Sequence, residues 1–287
     1  MTEALLRYPR LFVSLVKFEH TIFALPFAYI GAFLALDDVP ATRDLVWITV
    51  AMVGARSLAM ALNRLIDAGL DARNPRTARR ELPRGALETW HVGIFCLASL
   101  ALFLVAVYQL EPIVRWLWPI PVVAFVVYPY LKRWSSLSHF WLGAVDGLAP
   151  VGAWAAVTNE LPWQAWALGG AVALWVAGFD LLYSLFDLDV DREQGLHSVA
   201  ARFGPGTAFA VARASHVATI AFLVAAGLGL SVGLLYWLGV AAVAALLAYE
   251  HALVSPDDWR RLDAAFFTMN GVISVTFFVL VLADVLA

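Results

Sequence analysis

The chain has 287 residues, 62% of them hydrophobic and 14% charged, with a mean hydropathy of +0.78. A soluble domain carries about 25% charged residues and needs polar surface to face water, so a single water-soluble globule is excluded. The formal net charge of −3 argues against a nucleic-acid partner, and the lone cysteine, Cys96, cannot form a disulfide within the chain.

Residues 1–10 are polar, and the apolar run that follows is longer than a signal peptide's, so no cleavable leader is expected. A membrane-spanning helix takes roughly 20 apolar residues. Apolar segments fall at 11–36, 44–70, 90–110, 113–131, 139–157, 163–185, 207–230, 232–253 and 262–286. The third and fourth segments, like the seventh and eighth, are separated by short joints. A merged helix of some forty residues would overrun the bilayer, so nine spans are expected. The fold class is therefore all-α, a polytopic membrane protein forming one domain over residues 1–287 and embedded in a lipid bilayer.

Basic residues set the orientation. With the amino terminus inside, sixteen of the nineteen lysines and arginines face the cytoplasm. Only Arg43 and Arg115 lie outside, and Arg56 sits within a span. In a prokaryotic cell this places the protein in the inner, cytoplasmic membrane. Two cytoplasmic joints are long and polar, at 71–89 and 191–206, and each follows a helix that ends in acidic residues.

The first segment holds Lys17, Glu19 and His20, which could shuttle protons, contact an aromatic ligand or form a local polar pair; Pro26 should kink it. At the cytoplasmic end of the second segment, Asn63, Asp67 and Asp71 are spaced i, i+4, i+8 and stack along one helix face. Near the end of the sixth, Tyr183, Asp187 and Asp191 repeat that spacing at the same membrane face. Converging carboxylates repel one another unless a cation intervenes. Mg²⁺ suits hard oxygen ligands and is typically shared with substrate phosphates, so two acidic pairs could hold two ions bridged by a diphosphate.

The neighbouring bases fit that ligand. The first loop carries Arg76, Arg79, Arg80 and Arg84, whose planar guanidinium forks match phosphate, and the fourth segment ends with Tyr128 and Lys132 one turn apart. Arg56 lies two turns deeper than Asn63 on roughly the same face. A buried arginine is costly unless paired, either with an acid such as Glu19 or Asp146 or with a substrate carboxylate, and the substrate is preferred. Asp146 and Asp180 are intramembrane acids, functional or hydrogen-bonded between helices. His197 could contact phosphate or face water. The twelve tryptophans, many at span ends, read as interfacial anchors.

Together these motifs resemble the UbiA superfamily of intramembrane aromatic prenyltransferases. The residues that carry the resemblance are Asn63, Asp67 and Asp71; Arg76, Thr77 and Arg80; Pro83 and Gly85; Tyr128 and Lys132; and Tyr183, Asp187 and Asp191. It continues through Gly195, Ser198, Ala200, Phe203 and Gly204. The resemblance implies nine helices around a central cavity with a lateral opening toward lipid. It implies Mg²⁺ held by Asn63, Asp67, Asp71, Asp187 and Asp191, which act in catalysis with Lys132 and Arg56. A polyprenyl diphosphate donor would be bound by Asn63, Arg76, Arg80, Tyr128, Lys132 and Tyr183, with Arg56 near the carboxylate of an aromatic acceptor. The chain looks most like the 4-hydroxybenzoate polyprenyltransferases of quinone biosynthesis. Asn74-Pro-Arg-Thr, Glu81-Leu-Pro and His197-Ser are closer to menaquinone-pathway members that act on a dihydroxynaphthoate, and Asp146 stands where relatives usually carry an apolar residue. A proton-coupled transporter using the same acids is the rival from another class. A lipid phosphotransferase is disfavoured because its Asp-Gly-x-x-Ala-Arg signature does not occur. Tail length, acceptor, general base and oligomeric state are left open.

Overall fold

The computed structural model describes residues 11–16, 21–259 and 269–287, with residues 21–23 as backbone only. Regular structure among them is helical, apart from one isolated bridge between Ser255 and Asp258. After a helical stretch at 11–16 come α1 (Thr21–Leu36), α2 (Thr42–Asp71), α3 (Thr89–Val107), α4 (Val114–Leu131, interrupted at Trp118), α5 (Ser138–Thr158) and α6 (Trp163–Tyr183). A 3₁₀ turn, Ser184–Asp187, runs into α7 (Leu188–Glu193); α8 (Val199–Phe203), α9 (Pro205–Leu228), α10 (Leu234–Leu253) and α11 (Asn270–Val285) complete the chain.

Seven helices among the described residues are long and apolar enough to cross a bilayer: α2 to α6, α9 and α10, counting α6 with the turns that carry it to Glu193. Two shorter apolar helices, α1 and α11, occupy the first and last of the nine apolar segments. The short joints do separate helices: α3 and α4 are distinct, as are α9 and α10. The protein is an integral membrane protein.

The helices close into a ring. α2 packs on α3 and α4, α4 on α5, α5 on α6, α6 on α9, and α9 through α10 on α11, which returns to α1; α1 then lies against α5 and α2. Between lipid-embedded helices there is little hydrophobic gain, so close backbone approach supplies the packing. It is tightest between α5 and α6. A Cβ on Gly143 would lie 2.0 Å from the Ala173 carbonyl oxygen, and one on Gly147 2.5 Å from that of Gly169. Glycine is required at both positions, and their closeness brings the polar groups of α5 and α6 within bonding distance.

The loop after α2 is anchored from below. Asn74-Pro75 stops the helix, because proline disfavours helical geometry in the residue before it. The Thr77 hydroxyl then caps the buried end, donating to the Asp71 carbonyl at 3.0 Å. Glu81 is buried, accepts from Ser14 Oγ at 2.7 Å, and its carbonyl receives the amides of Ala86 and Leu87. Gly85 turns there with φ of +70°, and Leu87 enters the core formed by Leu15, Leu58, Val92 and Phe125. Thr77, Glu81 and Leu87 fix the loop's inner side, so Arg76 and Arg80 are presented toward the ring's interior.

Candidate active site

The ring encloses a cavity of about 630 Å³ lined by α1 to α6 and by the two loops that follow α2 and α6. Asn63, Asp67, Asp71, Arg76, Arg80, Tyr128, Lys132, Tyr183, Asp187 and Asp191 all line the end nearest these loops, and Arg56 lines it deeper along α2. The remaining wall is largely apolar, with Met52, Ala55, Phe103, Leu117, Trp166 and Trp175 among its residues.

α2 is uninterrupted through Asp71, so Asn63, Asp67 and Asp71 do share one helix face as their spacing requires. The second motif differs. α6 gives way at Tyr183 to the 3₁₀ turn Ser184–Asp187, and Ser184 Oγ donates to the Leu181 carbonyl at 2.7 Å. A 3₁₀ turn winds about 120° per residue, against 100° in an α-helix. Tyr183, Asp187 and Asp191 therefore do not stack on one α-helical face, although all three still line the cavity.

Three of the four acids are charge-compensated one by one. Asp67 receives Lys132 Nζ, and Arg133 Nη2 at 3.2 Å. Arg133 also donates to the Ile66 carbonyl at 3.1 Å. Asp71 takes both contacts of Arg80 Nη1 at 2.7 Å, with the buried Arg64 4.0 Å away. Asp187 is held by a fork from Arg76, whose Nε lies 2.9 Å from Oδ1 and whose Nη2 meets Oδ2. Arg76 Nη1 also donates to the Tyr183 hydroxyl at 3.0 Å, and Asn74 Nδ2 to Asp187 at 2.8 Å. Burial opposes the charge on Arg76, but its bonds to the Asp187 carboxylate outweigh that and raise the guanidinium above its ordinary range. Asp191 hydrogen-bonds with Ser198. Among the described residues no three acidic, histidine or cysteine side chains come together as a metal-holding group. The donors nonetheless have the right chemistry for Mg²⁺: five hard oxygen-bearing side chains, from two directions, at one end of one cavity.

Deeper in, Arg56 Nη1 bonds Asp146 Oδ1 at 3.1 Å. Of the pairings open to Arg56 within the protein, the acid on α5 is the one present. Asp180 is also paired: His139 Nδ1 lies 2.7 Å from its Oδ2, and His139 Nε2 accepts the Val199 amide at 3.3 Å. His197 donates its amide to the Lys132 carbonyl at 2.9 Å, which ties the second loop to the end of α4. Trp116 and Trp163 are exposed at span ends, as anchors should be, whereas Trp118, Trp166 and Trp175 line the cavity. Pro26 lies inside α1. Lys17, Glu19 and His20 fall outside the described residues.

Sequence reasoning passed over Asn74, Arg133 and His139 as site residues. Asn74 and Arg133 each stand beside a chosen residue, in Asn74-Pro-Arg76 and Lys132-Arg133, and that adjacency was the available signal. His139 had none, since its partner lies 41 residues away.

The fold and site define an integral membrane protein with an acid- and arginine-lined chamber opening on an apolar cavity. The sequence pattern of the UbiA prenyltransferase family matches residues 24–272, and the chain belongs to that family. It is thus an enzyme, which decides against the transporter. The 4-hydroxybenzoate octaprenyltransferase of Nitrosospira multiformis is 31% identical over 245 residues, 84% of this chain and 83% of that protein. That of Marinobacter nauticus is 30% identical over 243 residues, 84% and 82%. Among solved structures, the apo UbiA homolog from Aeropyrum pernix K1 superposes with a TM-score of 0.85 at 32% identity, covering 93% of this chain and 98% of that one. The Archaeoglobus fulgidus homolog bound to GPP and Mg²⁺ has a TM-score of 0.77 at 17% identity, covering 96% and 100%, and shares the fold.

Proposed function

We propose that this enzyme transfers a polyprenyl group from its diphosphate to a hydroxyaryl carboxylate of the 4-hydroxybenzoate class, at the cytoplasmic side of the membrane and with Mg²⁺. The observation that carries this reading is the convergence of both acidic motifs and their bases on one end of a cavity whose far wall is apolar. The Nitrosospira and Marinobacter relatives are 4-hydroxybenzoate octaprenyltransferases, which supports the acceptor class.

Asn63, Asp67, Asp71, Asp187 and Asp191 are the residues that would hold Mg²⁺, which supplies positive charge against the diphosphate as it departs. Arg76, Arg80 and Lys132, now on carboxylates, lie where the same groups can turn to phosphate oxygens, with Tyr128 and Tyr183 as hydroxyl donors. Preorganised charge at a leaving group is usually the largest catalytic contribution. The apolar wall accommodates the prenyl chain and keeps water from the allylic cation. It reaches Ile120 and Trp166, which are half exposed at the outer surface, so a long tail has a way into lipid. Arg56 orients the acceptor through its carboxylate, bringing an electron-rich ring carbon toward the prenyl C1.

The test is product formation. Purified protein is incubated with Mg²⁺, farnesyl diphosphate and a panel of 4-hydroxybenzoate, 1,4-dihydroxynaphthoates and a phenol without a carboxylate, with masses read by spectrometry. A prenylated 4-hydroxybenzoate that disappears with EDTA or in Asp67→Asn is expected. Product only from a dihydroxynaphthoate would move the enzyme to the other branch, and product only from the plain phenol would remove Arg56 from acceptor recognition.

A further inference from the structure

A phenolate attacks an allylic cation faster than a neutral phenol does, and the groups at the diphosphate end are spent on the donor. Deeper in the cavity stands a carboxylate with no role in that end. Asp180 lines the cavity from α6, one turn before Tyr183 and two before Asp187. His139, 4% exposed at the start of α5, fixes it through Nδ1 at 2.7 Å.

The tautomer of His139 follows from its two contacts. Val199 N can only donate, so Nε2 must be the lone-pair nitrogen and Nδ1 the one that carries hydrogen. Nδ1–H then donates to Asp180 Oδ2, and the carboxylate is held as an acceptor with its other oxygen still available. Had His139 accepted at Nδ1, Asp180 would have been the proton donor. The facing groups are consistent with an acceptor site. Tyr128 of α4 lies within electrostatic reach of Asp180, Asp146 and Arg56, and Asp146 is within reach of Asp180. His216 of α9 lies against another part of α6, at Gly178 and the Trp175 carbonyl.

We propose that Asp180 accepts the hydroxyl proton of the aromatic acceptor and that His139 is the residue that positions it. The inference rests on the prenyl transfer to a hydroxyaryl acceptor proposed above. The acceptor O–H bond breaks, its proton passes to the Asp180 carboxylate, and the oxygen electron pair feeds the ring. The C1–O bond breaks, the diphosphate leaves with its electron pair, and the ring carbon ortho to that oxygen bonds to C1 of the allylic cation. The ring carbon's own proton leaves with the diphosphate, its electrons restore aromaticity, and Asp180 returns the first proton to the oxygen.

The test uses full-length protein, Mg²⁺, farnesyl diphosphate and 4-hydroxybenzoates carrying zero, one or two ring fluorines, which make the phenol progressively more acidic. Asp180→Asn is expected to slow kcat on the parent acceptor by about 10²- to 10⁴-fold, the usual worth of a positioned base. The ratio of wild-type to variant kcat should shrink with each fluorine, because an already ionised phenol needs no base; taking the ratio cancels the fluorine's effect on ring nucleophilicity. His139→Asn keeps an N–H near the Nδ1 position and should retain most of the activity, whereas His139→Leu should show the same fluorine dependence as Asp180→Asn. A ratio constant across the series, with wild type active, overturns the proposal, as does an equal loss in His139→Asn and His139→Leu. No product from wild type with any hydroxyaryl carboxylate would instead remove the function on which the proposal rests.

Discussion

On α2 the acidic motif lies along one unbroken helix and Asp67 is sealed from water, its side chain 1% exposed. At the end of α6 the matching motif is carried by a 3₁₀ turn, and the Asp187 side chain is 18% exposed. Their partners differ as well. Asp67 is compensated by the end of α4, through Lys132 and Arg133, and Asp71 by the chain that follows it, through Arg80. Asp187 takes its partners, Asn74 and Arg76, from the loop after α2. The first motif is completed within its own half of the ring, whereas Asp187 of the second takes its partners from a strap that belongs to the first. Two patterns with the same spacing in sequence are thus a rigid half-site and a dependent one.

The largest effect should come from deleting either acid. Asp67→Asn and Asp187→Asn are each expected to lower product formation by about 10²- to 10³-fold, the scale of losing one group that stabilises charge at the reacting centre. Equal losses in the two variants would mean that both half-sites act on the same diphosphate. A variant with Asp187→Asn that kept near-full activity would confine the chemistry to α2.

Stability should separate the halves in a less obvious way. Lys132 and Arg133 are 30% and 33% exposed in their side chains, so removing Asp67 leaves cations that can turn to water. Removing the cations instead strands a buried anion. Lys132→Met with Arg133→Met is therefore expected to destabilise the protein by about 3–5 kcal/mol, the cost of breaking a buried pair from one side. Adding Asp67→Asn to that double variant should restore most of the loss in thermal unfolding in detergent, without restoring activity. If the triple variant is no more stable than the double, Asp67 is not the buried charge that the pairing implies.

How far these arrangements were legible follows from the range of the forces involved. The helices and the Asn63–Asp67–Asp71 face could be read directly, because hydrophobic runs and i+4 spacing are local properties. Continuing the α-helix through Tyr183 and Asp187 failed for a local reason of another kind: Ser184 bonds back to Leu181, and the winding tightens. The pairings Asp187–Arg76 and Arg56–Asp146 join residues 111 and 90 positions apart, and α5 reaches α6 only because Gly143 and Gly147 admit the opposing backbone. Charge identity was visible in the sequence, but the choice of partner was made by packing.

The strap itself gives a smaller, sharper test. Arg76→Ala removes the fork on Asp187 and the bond to Tyr183 but leaves the Asp71–Arg80 pair in place. The KM for prenyl diphosphate should rise by about tenfold, near the worth of one charge-assisted hydrogen bond. Arg76→Lys should recover little of it, because an ammonium cannot donate as a planar fork. Full rescue by lysine would reduce Arg76 to a point charge.

Deeper in the cavity than the acidic motifs the halves meet through Arg56 and Asp146, and here the smallest effect carries information about the acceptor. Both side chains are about one-fifth exposed, so their pairing has the modest worth of a partly solvated ion pair, about 1 kcal/mol. An acceptor carboxylate that binds Arg56 must share the guanidinium with Asp146 or displace it. Asp146→Asn removes the competing charge and keeps a hydrogen-bonding side chain of the same shape. The KM for 4-hydroxybenzoate is expected to fall by roughly fivefold, the equivalent of that 1 kcal/mol, while a phenol without a carboxylate is unaffected. A rise in KM for both acceptors would make Asp146 a direct contact for the ring's substituents. A rise for 4-hydroxybenzoate alone would mean that Asp146 holds Arg56 in the orientation the carboxylate needs, so that the acid works with the arginine rather than against it.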